Sequence, residues 1–139
     1  MLYFWRVITR IFLSKWFIRF ARKEGIADNA LCEAVRKAER GLVDAELGSG
    51  VIKQRIARPG EGKSGGYRGI VLLRSGDRAF FVYGFAKNER DNIDDDELRG
   101  FKRLAREMLA IDDGVIERMK RSGGLKELMC DVDAKNIQE

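Results

Sequence analysis

Hydrophobic positions in the first 42 residues recur at two different spacings. The segment from Val7 to Leu13 is rich in β-branched and aromatic residues, which favours a β-strand. From Ser14 the spacing becomes helical, and Ser14 and Gly25 are residue types that begin and end helices. A second helical stretch begins at Asp28, so the two stretches predict a helical hairpin. Their apolar positions are Trp16, Phe17, Phe20, Ala21, Leu31, Val35, Ala38 and Leu42.

The middle of the chain alternates between apolar and polar residues, as half-buried strands do. Residues 51–57 form the first such run, and residues 66–74 and 78–86 form two more. The Ser75-Gly76-Asp77 sequence between the last two runs is typical of a tight turn. The three runs therefore predict an antiparallel meander.

Helical spacing returns after the polar stretch 88–96. The acidic start at Asp94 suits a helix N-terminus. Asp112 or Asp113 can begin a further short helix, and the pattern after Gly123 is weak. The apolar positions of the longer helix are Leu98, Phe101, Leu104, Ala105, Met108 and Leu109.

Together these elements predict an α+β fold, in which an N-terminal helical hairpin packs on a small antiparallel β-sheet with a C-terminal helix. A chain of 139 residues fits one domain with one hydrophobic core. Within that domain, residues 1–9 are interpreted as a candidate N-terminal extension and residues 110–139 as a C-terminal appendage.

Charge and composition narrow the possible functions. The 27 Lys and Arg against 22 Asp and Glu leave a net charge of +5, which points to an anionic partner such as nucleic acid. The basic middle and the acidic last third suggest one electropositive face. The sequence contains no histidine, which excludes a Ser-His-Asp triad, zinc sites with His ligands and a His general base.

The two cysteines and the N-terminus bear on localisation. Cys32 and Cys130 are 98 residues apart without metal-ligand spacing, so neither a disulfide framework nor a zinc cluster is expected. Cys32 lies in an apolar stretch and is interpreted as a core residue. The apolar N-terminal stretch is interrupted by Arg6 and Arg10 and is shorter than the ~20 residues that span a bilayer. These features predict a cytoplasmic protein with no membrane contact and no cofactor.

The segment Gly62-Lys63-Ser64 resembles part of a phosphate-binding P-loop. A P-loop opens a helix whose amides face the phosphates, whereas a β-rich run from Tyr67 to Leu73 follows here. The segment is therefore interpreted as a hairpin loop that carries one cation, Lys63.

Cations cluster on the three predicted strands and at their ends. Adjacent strands are about 4.8 Å apart, so cations on one face can converge on one phosphodiester. RNA scission by the ribose 2′-hydroxyl needs in-line geometry, stabilised negative charge on phosphorus and proton transfer. Without histidine, the acid and base would be Lys, Tyr or a carboxylate, and cation crowding can lower a lysine pKa. The alternative is that these cations coat a solvent-exposed face: Lys53, Arg55, Arg58, Lys63, Arg68, Lys87 and Arg90.

Three segments resemble the RelE/ParE superfamily of type II toxin-antitoxin toxins. They are residues 51–60, residues 62–68 with the Gly-Gly-Tyr-Arg motif, and residues 80–93 with Phe-Ala-Lys-Asn-Glu-Arg. The likeness runs from about Arg10 to Leu109 and is nearest to the HigB/RelE-type branch. It implies a ribosome-dependent, metal-independent endoribonuclease (an mRNA interferase) that cuts translated mRNA, leaving a cyclic phosphate and a 5′-hydroxyl. It also implies an antitoxin partner with a DNA-binding fold of the helix-turn-helix type.

The resemblance implies roles for individual residues. Arg68 matches the strand arginine that contacts the scissile phosphate, and Arg55 and Lys53 match the preceding basic strand. Lys87 and Arg90 match the basic segment that closes the last strand. With the cation cluster, this predicts the catalytic set Arg68, Lys87, Arg55 and Lys53 and the RNA-binding set Arg58, Lys63, Arg90 and Asn88.

Two positions depart from the family pattern and leave other functions open. RelE-type toxins often carry an arginine where Asn88 stands and a tyrosine near Ile93, so the acid and base are not assigned. One alternative function is a ParE-like inhibitor of DNA gyrase, which needs no converging phosphate site. The other is a small RNA-binding or ribosome-binding module without catalysis.

Overall fold

A six-stranded sheet with two helices on each face forms the molecule. The computed structural model describes residues 9–58 and 66–130 of the chain. The strands are β1 (Arg10–Ser14), β2 (Ala45–Gly48), β3 (Val51–Ile56), β4 (Tyr67–Arg74), β5 (Arg78–Ala86) and β6 (Leu125–Leu128). The helices are α1 (Lys15–Glu24), α2 (Asp28–Glu39), α3 (Asp95–Met108) and α4 (Asp113–Arg121).

The sheet is mixed, with the strand order β2-β3-β4-β5-β1-β6. Strands β3, β4 and β5 form the antiparallel centre. Strand β1 lies parallel to β5 and antiparallel to β6. The Phe12 ring stacks on the Phe80 ring at 5.1 Å between centroids, which joins β1 to β5 on one face.

Alternation along the strands divides the core into two layers. On one face, α1 and α2 bury residues such as Phe17 and Leu31 against Phe81. On the other face, which we call the α3 face, α3 and α4 bury Ala105 and Ile116 against the sheet. Two apolar layers on one sheet explain why its central strands are buried on both sides.

Local sequence signals explain where the helices begin and end. The Ser14 side chain accepts a hydrogen bond from the Phe17 N–H, and Gly25 ends α1 with a left-handed φ of 69°. Asp94 and Glu97 form a capping box at the start of α3. None of the helices in the described parts of the chain combines the length and apolar character needed to cross a bilayer.

The expected fold class, an N-terminal helical hairpin on a small antiparallel sheet with a C-terminal helix, is wrong. The first described element is a strand, the sheet is mixed with six strands, and the last part contributes two helices and a strand. Strands β2 and β6 have four residues each, too few to show alternation in sequence. The parallel pair β1–β5 joins positions about seventy residues apart, which local patterns do not reveal.

The prediction of one domain stays a prediction. Residues 1–8 of the candidate extension lie outside the described residues, as do residues 131–139 of the predicted appendage. Within that appendage, β6 pairs with β1 and Ile116 of α4 is buried.

The expectation that the cysteines form no disulfide is wrong. Cys32 of α2 and Cys130, just after β6, are disulfide-bonded with Cα atoms 5.9 Å apart. Cys32 is 1% exposed, which confirms its placement in the core. The pairing of β6 with β1 brings the two positions together across 98 residues, a separation that hides them from spacing arguments. The cysteines therefore no longer support a reducing compartment.

Candidate nucleic-acid interface

Register along β3 and β4 separates an apolar end of the α3 face from a cationic end. Val51 lies opposite Leu72 at the apolar end. Two steps further along β3, Lys53 and then Arg55 follow on the same face, and Arg55 lies directly opposite Arg68. We call Lys53, Arg55 and Arg68 the cationic cluster.

Arg68 is the most buried member of the cluster, with 8% of the residue exposed. Its Nε lies 3.3 Å from a carboxylate oxygen of Asp44, and its Nη1 donates to the Tyr67 carbonyl at 3.3 Å. Among the described residues, Nη2 has no hydrogen-bond or ion-pair partner. A buried guanidinium contacted at Nε and Nη1 is suited to donate from Nη2 to a phosphate oxygen.

Lys53 lies between an acid and an amide. Its Nζ is 3.8 Å from the Asp44 carboxylate and 3.5 Å from the Asn92 side-chain oxygen. Its side chain as a whole is 15% exposed, and the ammonium group makes its hydrogen bond to Asn92 at an exposed position. The ammonium group can therefore serve as a proton donor to a phosphodiester held at the cluster.

Asp44 itself is fixed in place by a buried glutamine. Gln54, 3% exposed, accepts a hydrogen bond from the Asp44 N–H at 3.1 Å. Its amide nitrogen donates to the Ala34 and Leu42 carbonyls at 2.8 and 3.0 Å. The loop before β2 is thereby tied to α2 and holds a carboxylate beside the cationic cluster.

Arg90 lies at the border of the cluster, tied to α3. It donates to the Tyr83 hydroxyl at 2.7 Å, stacks over that ring at 5.6 Å and pairs with the Glu97 carboxylate. Its hydrogen bond to Glu97 raises the pKa of Arg90. The same bond, with the Asp94 backbone N–H, lowers the pKa of Glu97. At neutral pH both groups are charged and the Arg90 guanidinium is oriented.

The structure does not place Arg58 with the cluster. Its guanidinium stacks on the Tyr67 ring at 5.2 Å, and the Tyr67 hydroxyl donates to Glu24 of α1. Tyr67 packs with the α1 and α2 layer, so Arg58 lies toward the opposite face of the sheet. Lys63 falls outside the described residues.

Lys87 and Asn88 follow β5 at the cationic end. The Lys87 N–H donates to the Gly66 carbonyl at 3.0 Å, which continues the β4–β5 ladder beyond its last pair. Phe85, two residues earlier, lies opposite Arg68. Lys87 is half-buried and Asn88 is exposed. Both residues therefore lie at the same end of the central strands as Arg68.

Sequence reasoning missed Asp44 and Tyr83. A β-bulge at Val82 pairs Ile70 with Tyr83 but Val71 with Phe81. Val82 and Tyr83 consequently both pack on the α3 face. This breaks the alternation of side chains that would indicate from the sequence which face each residue occupies. Asp44 lies in a loop, and no periodic signal marks its contact with Arg68.

Most of the chain matches one known protein family. Residues 9–128 match the family model described as RelE toxin of RelE / RelB toxin-antitoxin system. The chain belongs to the RelE toxin family. No curated protein matches the chain in sequence. The match spans every strand and helix described above.

Membership of the RelE toxin family confirms the resemblance to the RelE/ParE superfamily. It makes the chain a toxin of a toxin-antitoxin system, for which the partner class is an antitoxin. Assignment to the HigB-type branch stays a prediction. Among the described residues, this RelE toxin has no group of three or more acidic or cysteine side chains that could hold a metal ion.

Proposed function

We propose that this RelE toxin is a ribosome-dependent endoribonuclease that cleaves translated mRNA in the cytoplasm and so inhibits translation. The observation that carries the proposal is the register of β3 and β4, which puts Lys53, Arg55 and Arg68 on one face of the sheet. A ParE-like gyrase inhibitor would not need cations that converge on one phosphate. Membership of the RelE toxin family also supports the nuclease proposal.

The proposed reaction is attack of a ribose 2′-hydroxyl on the adjacent phosphorus. The 2′-oxygen forms a bond to phosphorus, the bond to the 5′-oxygen breaks, and the products are a 2′,3′-cyclic phosphate and a 5′-hydroxyl. Arg68 and Arg55 stabilise the negative charge that builds up on the non-bridging oxygens. Lys53 and Lys87 are the candidates for proton transfer at the 2′-oxygen and the leaving oxygen. This scheme requires no metal ion.

The neighbouring residues would hold the flanking RNA. Arg90, Asn88 and Lys87 lie beyond the last pair of β4 and β5, next to the exposed end of the cluster. Arg90 is oriented by Tyr83 and Glu97, so its contact with a phosphate would carry little ordering cost. Contacts of Arg58 and Lys63 with RNA stay predictions.

The antitoxin would neutralise the toxin by covering the cationic cluster. An acidic or helical antitoxin segment can pair with Lys53, Arg55 and Arg68 and exclude RNA from the same surface. We propose that the antitoxin also carries a helix-turn-helix DNA-binding fold. Binding of the antitoxin should therefore compete with binding of RNA.

The proposal is tested by mapping reporter mRNA cuts by primer extension in a translating extract. Wild-type protein should produce codon-phased cuts, Arg68→Ala should produce none, and naked RNA should stay intact. Arg19→Ala is the matched control, because Arg19 is exposed on α1, away from the α3 face.

Two results would decide against the nuclease. Growth arrest without any cut would favour gyrase inhibition or a binding-only block of translation. If Arg68→Ala cuts as well as wild type, with folding verified by circular dichroism, the proposed role of the cluster in cleavage is wrong.

A further inference from the structure

Asp44 is the anion that contacts two members of the cationic cluster. One of its carboxylate oxygens lies 3.3 Å from Arg68 Nε and 3.8 Å from Lys53 Nζ. The side chain of Asp44 is 33% exposed, whereas that of Arg68 is 10% exposed. The carboxylate is therefore the more exposed partner of this contact.

The backbone of Asp44 is anchored to the protein core through the buried side chain of Gln54. Buried Gln54 uses its oxygen on the Asp44 N–H and its nitrogen on two carbonyls, Ala34 and Leu42. A buried amide that satisfies three backbone groups ties α2 and β3 to the loop before β2. The backbone position of Asp44, from which the carboxylate reaches Arg68, is consequently set by the core.

The contact with Asp44 helps to orient the whole guanidinium group of Arg68. The group is planar, so fixing Nε by Asp44 and Nη1 by the Tyr67 carbonyl also fixes the direction of Nη2. Nη2 has no partner among the described residues. A donor oriented before the substrate arrives stabilises developing charge without reorganisation.

We propose that Asp44 is a positioning residue, which acts through Arg68 to aim Nη2 at the scissile phosphate. The proposal rests on the nuclease function proposed above. Asp44 does not touch the RNA in this arrangement, and Gln54 holds it in place. The competing interpretation is that Asp44 merely neutralises charge, in which case its removal would strengthen RNA binding and leave the rate unchanged or faster.

Single-turnover cleavage on programmed ribosomes separates the two interpretations. Asp44→Asn should lower the cleavage rate constant roughly ten- to a hundredfold, as misplacement of a catalytic group by about 1 Å does. Its affinity for the programmed ribosome should stay within about twofold, because the cations remain. Glu46→Gln is the matched control, since it removes the same charge from an exposed position two residues further on, and it should behave as wild type.

A double variant tests whether Asp44 acts through Arg68. In an Arg68→Lys background, which keeps the charge and a measurable rate, Asp44→Asn should cause no further loss of rate, because there is no guanidinium left to orient. Additive losses would overturn the proposal, as would a rate for Asp44→Asn equal to or above that of wild type. Wild type that does not cleave at all would instead overturn the nuclease function and, with it, the role of Asp44.

Nitrogen-15 NMR of the full chain provides a readout that does not depend on cleavage. The Arg68 Nε–H resonance is assigned by its loss in Arg68→Lys. Asp44→Asn should shift this resonance and speed its exchange with water, whereas Glu46→Gln should not. An unchanged Arg68 resonance in Asp44→Asn would show that Asp44 does not orient the guanidinium, whatever the cleavage result.

Discussion

At the scale of single residues, the buried charge of Arg68 is tolerated because the Asp44 carboxylate lies beside it. Burial of an unpaired guanidinium costs several kcal/mol, so Arg68 depends on Asp44 and on the Tyr67 carbonyl. Among the described residues, the same partners leave Nη2 of the guanidinium available. Stability and anion recognition thus rely on the same contacts.

Gly84 on β5 is a residue-scale test of how closely α1 packs on the sheet. A Cβ added at Gly84 would lie 2.7 Å from a Phe20 ring carbon and 3.0 Å from a Phe17 ring carbon. Gly84→Ala should therefore lower the free energy of unfolding by about 1–3 kcal/mol through overpacking. Urea unfolding followed by circular dichroism measures the change.

Gly100 provides the control for that substitution. It lies within α3, and the nearest atom to an added Cβ is an Arg103 nitrogen at 3.9 Å. Gly100→Ala should stabilise the protein by roughly 0.5–1 kcal/mol, because alanine loses less backbone entropy in a helix. Equal effects of the two alanines would show that α1 does not pack against β5 as described.

Residue-scale features differ in how far the sequence predicts them. Alternation places Lys53 and Arg55 on one face, and the structure shows them there. The bulge at Val82 inverts the alternation before Tyr83, so no simple period finds that residue. Asp44 reaches Arg68 from a loop, across β3, and only the folded chain brings the two together.

At the scale of elements, an ion-pair network joins β1, β6 and α4. Arg10 bonds to Glu127 at 2.9 Å and to Glu117 at 2.8 Å, and Lys120 bonds to Glu127 at 2.8 Å. The hydrogen bond from Arg10 lowers the pKa of Glu127, and the one from Lys120 adds to it. The network holds the last strand against the first.

The lowered pKa of Glu127 predicts how stability changes with pH. A carboxylate whose folded-state pKa lies below its ordinary value of 4.5 stabilises the protein above that pH. The contribution is lost as the pH falls through the folded-state pKa. The difference in unfolding free energy between wild type and Glu127→Gln should therefore be largest near neutral pH and shrink in acid.

Urea titrations between pH 7 and pH 3 measure this difference. Glu107→Gln is the control, because Glu107 is exposed on α3 and should give a curve parallel to that of wild type. A difference between wild type and Glu127→Gln that stays constant with pH would contradict the role assigned to the ion pair.

Element length decides which elements the sequence predicts. The long strands β4 and β5 and the helices contain enough repeats of their hydrophobic pattern to be predicted from the sequence. Strands β2 and β6 have four residues each. They are strands because they pair with β3 and β1, and the local sequence does not show this. The error in fold class follows from missing them and the parallel pairing of β1.

At the scale of the whole molecule, the Cys32–Cys130 disulfide closes a long loop. The two residues are 98 positions apart, so the bond restricts the unfolded chain strongly. Reduction should lower the free energy of unfolding by about 3–5 kcal/mol. Cys130→Ser should match reduced wild type and should not respond to reductant.

Unfolding with and without dithiothreitol, together with thiol counting under denaturing conditions, measures the effect. Two free thiols in oxidised protein, or equal stability with and without reductant, would contradict a structural disulfide. Spacing alone could not reveal this bond, because it depends on how β6 and α2 lie around β1 in the folded chain.

In the proposed reaction, the cationic cluster stabilises attack by a ribose 2′-hydroxyl. The most direct test is single-turnover cleavage on ribosomes programmed with mRNA that carries one 2′-deoxy nucleotide at the mapped cut site. We expect no cut at that site with wild-type protein, unchanged binding, and a cyclic phosphate end on the all-ribose control. Cleavage of the 2′-deoxy mRNA at the control rate would contradict the proposed reaction.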